Sequence, residues 1–233
     1  MLEVKDLYVG YYKDLNILQG VSVTAQKAKI TTVLGANGVG KSTLLKAIYG
    51  FLKPNSGEVL IEGENLIGIP THQRIDIGIA YIPQQPAIFR WMTVEENLEL
   101  GAWTFKKDKA RIRRKLEGNY ERFPILKNRR KSKAGELSGG MQRMVEVGRT
   151  LMTDPKVILV DEPTAGLAKL LSEEVYRMLV QLRDEESMTI VLVDQEIRQA
   201  IKIADYVYVL ELGRNRFEGP MEEFTDLTKA FWV

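Results

Sequence analysis

The chain has 233 residues, of which 45% are hydrophobic and 27% charged, and its formal net charge is +2. This composition argues against a disordered chain and against nucleic-acid binding driven by net charge. Cysteine is absent and His72 is the single histidine, which excludes a disulfide framework, a zinc ribbon and a thiol nucleophile. No apolar run approaches the roughly 20 residues that a transmembrane helix needs. The sequence therefore predicts a soluble intracellular protein that reaches a membrane only through a partner.

Strand-like and helical patterns follow one another along the chain. Apolar or alternating runs predict strands at 2–9, 17–25, 29–35, 57–66, 156–161, 188–194 and 206–213. Helical spacing predicts helices at 41–50, 172–185 and 196–204, with Gly50 as the C-cap of the first. From residue 93 to about 130 strand patterns are missing, and Thr93 and Glu96 form a predicted capping box. The alternation indicates an α/β fold with a parallel sheet and an inserted helical subdomain.

The segment GANGVGKST, residues 35–43, lies between a predicted strand and a predicted helix. It matches the pattern G-x-x-x-x-G-K-[ST], in which backbone N–H groups surround phosphate oxygens at the positive end of a helix. Lys41 is placed to reach the β- and γ-phosphates, and the Ser42 hydroxyl to bind Mg²⁺. A chance glycine turn, the alternative, would match in roughly one chain of this length in a hundred. The predicted nucleotide-binding residues are Gly35, Asn37, Gly38, Gly40, Lys41, Ser42 and Thr43.

Two carboxylates, Asp161 and Glu162, come at the end of the apolar strand KVILVD. Ligands of open parallel sheets bind at the carboxyl ends of the strands, so these side chains belong to the same predicted site. Asp161 can hold magnesium, and Glu162 can orient or deprotonate an attacking water, as phosphoryl transfer to water requires. The alternative is a polar strand end that Pro163 stops.

A second candidate for anion binding lies in LSGGMQRMVEVGRTL, residues 137–151. Ser138, Gly139 and Gly140 precede apolar residues at helical spacing, and the N–H groups at a helix start attract anions. In isolation, an ordinary N-cap followed by loop glycines is the better explanation.

Five ordered motifs over the whole chain resemble the ATP-binding-cassette (ABC) ATPases. GANGVGKS resembles their Walker A loop, YIPQ their Q-loop, LSGGMQ their signature and VILVDE their Walker B strand. Tyr12 resembles the aromatic residue that stacks on adenine, with Tyr11 as the alternative. Gln84 resembles the glutamine that contacts magnesium and the attacking water and relays to a membrane subunit. Gln85 as a polar loop residue is the alternative there.

The resemblance implies a P-loop NTPase with a RecA-like core, an N-terminal antiparallel β subdomain and an inserted α-helical subdomain. Residues 1–233 would form a single ABC ATPase domain. Its nucleotide-binding core and β subdomain would take 1–86 and 146–233, and its helical subdomain with the signature would take 87–145. ATP and Mg²⁺ are the implied ligands. Cassettes of this family pair head to tail, so Ser138, Gly139 and Gly140 would act on the nucleotide of a partner ABC ATPase, identical or different.

One branch of the family is resembled more closely than the others. Residues 121–168 and the segments TVEENLELGAW and IADYVYVLELGR resemble the ATPase subunits of branched-chain amino-acid importers, with urea importers close by. Ala168 replaces the aspartate that the wider family has after Gly-Leu, and Gln195 replaces a histidine, both as in this branch. YIPQQPAIFR resembles lipopolysaccharide-export ATPases at least as closely, which leaves the substrate open.

The sequence therefore favours an ATP-hydrolysing transporter subunit on the cytoplasmic face of the cell membrane. It would be held there by transmembrane permease subunits, without membrane insertion and without nucleic acid. Catalysis is assigned to Glu162, Gln84 and Gln195, and magnesium binding to Ser42, Gln84 and Asp161. The rival hypotheses are a lipopolysaccharide-export or urea ATPase, a non-transport clamp, and a regulatory cassette that does not hydrolyse ATP.

Four further residues keep an alternative. Phe89 and Trp91 lie where the family docks its membrane subunit, and core packing is an equal contender. Gln195 is either within reach of the γ-phosphate or a neighbour of a helix cap. His72 is interpreted as a solvated loop residue.

Overall fold

The structure is a computed structural model that describes residues 1–12 and 15–224. These residues form two sheets, and the first of them is antiparallel. Strands β1 (Leu2–Val9), β2 (Leu18–Ala25), β4 (Ser56–Ile61) and β5 (Glu64–Asn65) pair in the order β2-β1-β4-β5. The apolar residues of β1 and β2 are buried, whereas the residues between them are partly or fully exposed. One face of this sheet therefore covers the core and the other faces solvent.

The second sheet is mainly parallel and carries the carboxyl edge on which the site is built. Its strands are β3 (Ile30–Leu34), β6 (Ile79–Ile82), β7 (Val157–Asp161), β8 (Thr189–Val193), β9 (Tyr206–Glu211) and β10 (Arg214–Pro220). They pair in the order β10-β9-β3-β8-β7-β6, and only β9 and β10 pair antiparallel. Every residue of β3, β7 and β8 is buried, as expected for parallel strands covered on both faces.

The helices connect these strands or lie between β6 and β7. They are α1 (Lys41–Tyr49), α2 (Thr71–Ile77), α3 (Val94–Leu100), α4 (Lys109–Arg122), α5 (Pro124–Asn128), α6 (Gly139–Leu151), α7 (Lys169–Glu186) and α8 (Ile197–Ile203). Two short 3₁₀ helices add Trp103–Phe105 and Ala134–Glu136. No helix of the described residues is long and apolar enough to cross a membrane.

Successive residues of the central strands face opposite sides of the sheet, because side chains alternate along a strand. Ile190 and Leu192 of β8 belong to the hydrophobic cluster that α6 and α7 cover. Val191 and Val193 belong to the cluster formed with α1 and the antiparallel sheet. The main sheet therefore packs against α6 and α7 on one face, and against α1 and the antiparallel sheet on the other.

The stretch between β6 and β7 is helical throughout its regular elements, from α3 to α6. The predicted capping box is confirmed: the Thr93 hydroxyl accepts from the Glu96 N–H at 3.1 Å, and the Glu96 carboxylate accepts from the Thr93 N–H at 2.7 Å. The division of the chain at residues 86 and 146 stays a prediction, and α6 extends across the second of these boundaries.

Several elements differ from the sequence-based prediction. His72 is exposed as predicted but lies on helix α2, not in a loop. Strand β10 was not predicted, because its polar residues RNRFEGP hide the alternation. Phe89 and Trp91 are 55% and 86% exposed, so the alternative of core packing is wrong for both.

Candidate active site

Four neighbouring parallel strands end at one edge of the main sheet, and each is followed by a polar side chain of the site. Lys41 follows β3, Gln84 follows β6, Glu162 follows β7 and Gln195 follows β8. Because these strands are parallel, their carboxyl ends meet at the same edge. The fold thereby brings together residues that are more than 150 positions apart in the sequence.

The glycine-rich loop between β3 and α1 depends on backbone conformations that favour glycine. Gly38 and Gly40 have φ angles of 84° and 107°, in the left-handed region that other residues rarely adopt. A Cβ at Gly40 would also lie 2.5 Å from a methyl group of Leu18. The loop therefore places the N-terminus of α1 at the sheet edge, where its free N–H groups attract an anion.

The buried side chain of Lys41 folds back over this loop. Its ammonium group donates to the carbonyl oxygens of Gly35 at 2.9 Å and Ala36 at 3.1 Å. The same nitrogen lies 3.9 Å from the carboxylate of Glu162. A positive charge therefore stands between the loop and the end of β7.

Asp161 is buried, and both of its carboxylate oxygens accept hydrogen bonds. The Ser42 hydroxyl donates to one oxygen at 2.7 Å, and the Tyr81 hydroxyl donates to the other at 2.7 Å. A hydroxyl and a carboxylate in contact are ligands of the type that Mg²⁺ takes together with phosphate oxygens. Among the described residues, no group of three or more His, Cys, Asp and Glu side chains could hold a metal ion by itself.

Glu162 lies at the centre of the site in an unusual backbone conformation, with φ at 44°. Its N–H donates to the carbonyl of Val193 at 2.8 Å. One carboxylate oxygen accepts from the amide of Gln84 at 2.7 Å and from that of Gln195 at 3.1 Å. Of the two glutamines that the sequence offered after β6, Gln84 is therefore the one that reaches Glu162. Left-handed backbone at a non-glycine residue is a feature that recurs at functional sites.

The surroundings of Glu162 raise its pKa. Burial is the main cause, and the negative charges of Asp161 and Asp194 add to it, whereas Lys41 opposes it. A carboxylate with a raised pKa is a stronger base than an ordinary glutamate. The arrangement can therefore accept a proton from a water molecule at this edge.

A buried network supports the turn that carries Gln195. The carboxylate of Asp194 accepts from the Tyr176 hydroxyl at 2.9 Å and from the N–H of Glu196 at 2.9 Å. Thr164 shares a 3.2 Å hydrogen bond with the same tyrosine hydroxyl. Sequence reasoning missed these residues and Tyr81. The one available signal was a tyrosine three residues before the glutamine in YIPQ.

Tyr12 lies in the turn before β2 and is 75% exposed, and Tyr11 is 53% exposed. The chain leads from this turn to Ile17 and Leu18, which lie close to Gly40 of the glycine-rich loop. The aromatic rings of Tyr11 and Tyr12 are accessible to a flat ligand.

The signature residues lie on a different element, at the start of α6. The Ser138 hydroxyl accepts from the N–H of Met141 at 3.4 Å, so Ser138 is the N-cap of α6. A Cβ at Gly140 would lie 2.9 Å from Leu171 of α7. Within one chain, the described contacts of these residues are those of a helix start packed against α7.

Comparison with known proteins identifies the class that this fold and site define. Residues 18–165 match the ABC transporter family, and the chain belongs to this family. It is an ABC-type ATPase subunit.

Curated relatives match the chain over nearly its whole length. It is 39% identical over 229 residues to a probable branched-chain amino acid transport ATP-binding protein, LivF, from Archaeoglobus fulgidus, covering 98% of this chain and 96% of that protein. It is 42% identical over 204 residues to the high-affinity branched-chain amino acid transport ATP-binding protein BraG of Pseudomonas aeruginosa, covering 88% and 86%. The lipopolysaccharide export ATP-binding protein LptB of Haemophilus influenzae is 32% identical, with 91% and 88% covered.

Solved structures share the fold. A nucleotide-free ATP-binding cassette from an ABC transporter superposes with a TM-score of 0.87 at 30% identity, covering 99% of this chain and 95% of that chain. A dimeric cassette bound to ADP and Pi in a post-hydrolysis state has a TM-score of 0.80 at 25% identity, with 95% and 99% covered.

Replacing Lys41 by methionine tests whether the loop binds nucleotide through this residue. The variant keeps the aliphatic stem but loses the charge, so we expect an affinity for ATP about 10- to 100-fold lower, the range for hydrogen bonds to charged groups. Titration calorimetry measures it, with Lys46→Met in the last turn of α1 as the matched control. An unchanged affinity would remove Lys41 from the nucleotide site.

Proposed function

We propose that this ATPase powers the import of branched-chain or related amino acids through separate membrane subunits. The observation that carries the hydrolytic part is the buried carboxylate of Glu162, held by two amides beside Lys41. The substrate class rests on the two relatives that transport branched-chain amino acids. The ATPase would lie on the inner face of the cell membrane, attached through these subunits.

ATP would bind at the glycine-rich loop and the start of α1. The phosphates would lie against Gly35, Asn37, Gly38, Gly40, Lys41, Ser42 and Thr43. The Lys41 ammonium would exchange its loop carbonyls for phosphate oxygens, which carry more charge. The accessible ring of Tyr12 would stack on the adenine, and stacking on a base is worth about 1–3 kcal/mol in nucleic-acid binders.

Magnesium would be held by Ser42 and Asp161, with the amide oxygen of Gln84 as a further ligand. The hydroxyl and the carboxylate already lie 2.7 Å apart, which supports this assignment. Bound Mg²⁺ neutralises charge on the phosphates and orients them. Tyr81 would keep Asp161 in the required orientation through its hydrogen bond.

Glu162 would act as the general base. The oxygen of a water molecule forms a bond to the γ-phosphorus, its proton passes to Glu162, and the bond from phosphorus to the ADP oxygen breaks. The products are ADP and inorganic phosphate. Gln84 and Gln195 hold one carboxylate oxygen, which fixes the orientation of the other. Glutamine has no ionisable group near neutral pH, so the proton has to be accepted by Glu162.

The working form would be a dimer of cassettes. Ser138, Gly139 and Gly140 lie at the start of α6, a different helix from the one that follows the glycine-rich loop. The N–H groups of a helix start attract anions. In a head-to-tail pair this helix start would face the nucleotide of the partner. The similar fold of the dimeric cassette supports this arrangement.

The permease would dock near the Q-loop, where apolar side chains are exposed. Phe89, Trp91 and Trp103 are all more than half exposed, and exposed apolar side chains mark protein interfaces where they form a contiguous patch. A cleft of about 240 Å³ beside Trp103 is also lined by Tyr49 and Tyr81. The same surface would accept an export permease, so lipopolysaccharide export, favoured by the similarity to LptB, is the second candidate function.

Glu162→Gln tests the hydrolytic mechanism. The amide cannot accept the proton, so we expect ATP binding to remain, kcat to fall about 100-fold or more, and dimers to accumulate with ATP. Titration calorimetry measures the binding of ATP, phosphate release measures kcat, and gel filtration measures the dimers, with the exposed Glu99→Gln as control. Full hydrolysis by Glu162→Gln would exclude this residue as the base.

Tyr81→Phe tests the magnesium assignment. The ring contacts with Tyr49 and Phe51 remain, but Asp161 loses one hydrogen bond. We therefore expect the Mg²⁺ concentration at half-maximal binding of a fluorescent nucleotide to rise about 10-fold or more. Binding in EDTA should not change. Tyr49→Phe is the control, and an effect of equal size in both variants would contradict the role of Tyr81.

Transport itself can be measured in proteoliposomes that contain the chain with its permease subunits and a binding protein. We expect ATP-dependent uptake of labelled leucine, isoleucine or valine, and no uptake with Glu162→Gln. Absence of uptake together with stimulation of the ATPase by lipopolysaccharide would favour the export function.

A further inference from the structure

Arg143 and Glu146 form a buried ion pair that the proposed mechanism does not use. Each residue is only 1% exposed, and the guanidinium lies 2.6 Å from the carboxylate within one turn of α6. Removing two charges from water costs several kcal/mol per ion, which their mutual attraction alone rarely restores. Additional hydrogen bonds are therefore needed to explain a pair at this depth.

Those hydrogen bonds go to the backbone of residues 83–87, which comprise the end of YIPQ and the three residues after it and are called the Q-loop below. The guanidinium donates to the carbonyl oxygens of Pro83 at 2.7 Å and Gln84 at 2.5 Å. The second carboxylate oxygen of Glu146 accepts from the N–H of Ala87 at 2.7 Å. The pair thus spans residues 83–87 and binds their main chain at both ends.

The guanidinium of Arg143 faces this loop. Its two terminal nitrogens donate to the loop and to Glu146, whereas its Nε is buried with no hydrogen-bond partner among the described residues. An unpaired buried donor costs free energy. The side chain therefore forgoes one hydrogen bond while it holds the two loop carbonyls.

The loop segment that the pair holds is the one that carries the amide of Gln84 to Glu162. Helix α6, on which the pair lies, begins at the signature residue Gly139. We propose that Arg143 and Glu146 are positioning residues for ATP hydrolysis. They fix the Q-loop backbone so that Gln84 reaches Glu162. Because both residues lie on α6, a movement of α6 would also move the contact between Gln84 and Glu162. The inference rests on the roles given to Gln84 and Glu162 under the proposed function.

A purely structural role is a poorer explanation of the pair. A buried ion pair can often be replaced by apolar residues of similar volume with no loss of stability. The apolar side chains beside it, Val145 and Val147, already pack α6 into the core. What apolar residues could not supply is hydrogen bonding to the carbonyls of Pro83 and Gln84 and to the N–H of Ala87.

A double-mutant cycle between Arg143→Met and Gln84→Ala tests the proposal in the full chain. We expect Arg143→Met alone to lower kcat about 10- to 100-fold, the effect of a misplaced catalytic contact. The KM for ATP should stay within about two-fold, because the glycine-rich loop keeps its contacts. In the Gln84→Ala background, Arg143→Met should have almost no further effect on kcat, since coupled residues are not additive.

Two further variants keep the test decisive. Glu146→Gln preserves the side-chain volume and an acceptor for Ala87 but removes the charge that holds Arg143, so it should lower kcat in the same non-additive way. It takes the place of Arg143→Met if that variant does not fold by circular dichroism. Arg183→Met removes a partly buried arginine paired with Asp205 far along the chain, and should leave kcat unchanged.

The outcomes separate this inference from the proposed function. Equal loss of kcat from Arg143→Met with and without Gln84 would overturn the inference and leave the role of Gln84 intact. A higher KM at unchanged kcat would also overturn it. If Gln84→Ala by itself leaves kcat unchanged, the proposed role of Gln84 is wrong, and the inference is wrong with it.

Discussion

The site depends on the end of β7, where two adjacent carboxylates point to different partners. Successive residues of a strand face opposite sides, and Glu162 follows the strand in a left-handed backbone conformation. Asp161 accordingly contacts Ser42 and Tyr81, while Glu162 contacts the two glutamines and Lys41. Two adjacent acidic residues of similar chemistry therefore have different hydrogen-bond partners, which is what the two roles proposed for them require.

The connections of these carboxylates lead to surfaces where partners would bind. Tyr81 donates to Asp161, packs against Tyr49 and Phe51, and lines the exposed cleft beside Trp103. A molecule in that cleft would touch the ring whose hydroxyl donates to Asp161. The Q-loop offers a parallel route, because Gln84 touches Glu162 and its backbone is held by α6. Both routes end on buried carboxylates, whose hydrogen bonds are electrostatically stronger than they would be in water.

Much of this arrangement could be predicted from the sequence, because it follows from local patterns. Three patterns each favour a single local structure: the glycine spacing of the loop at 35–43, the capping box at Thr93 and the uninterrupted apolar runs of β7 and β8. The α/β fold followed from the alternation of strand and helix patterns, and the ABC family from the resemblance of its five motifs; both are confirmed by the family match and the structural neighbours.

The residues that were missed owe their importance to contacts between distant segments. Nothing in the sequence near Arg143 and Glu146 shows that they reach the backbone of residues 83–87. A charged pair at i and i+3 of a helix is usually exposed, and burial here results from tertiary packing of α6. Asp194, Tyr176 and Thr164 likewise come from three elements and meet only in the folded chain. Strand β10 was overlooked because its polar residues hide the alternation, and its place in the sheet is defined by antiparallel pairing with β9.

The two departures from the wider family affect different parts of the chain. Ala168 is the N-cap of α7 and provides no side-chain acceptor, which commonly costs about 1 kcal/mol relative to aspartate or serine. This weakens the start of a helix that packs on Gly140, but it removes no contact of Glu162. Gln195 replaces an ionisable side chain by a neutral one that still donates to Glu162 at 3.1 Å. Neither change deprives Glu162 of its neighbours, so the geometry favours an active ATPase over a regulatory cassette without hydrolysis.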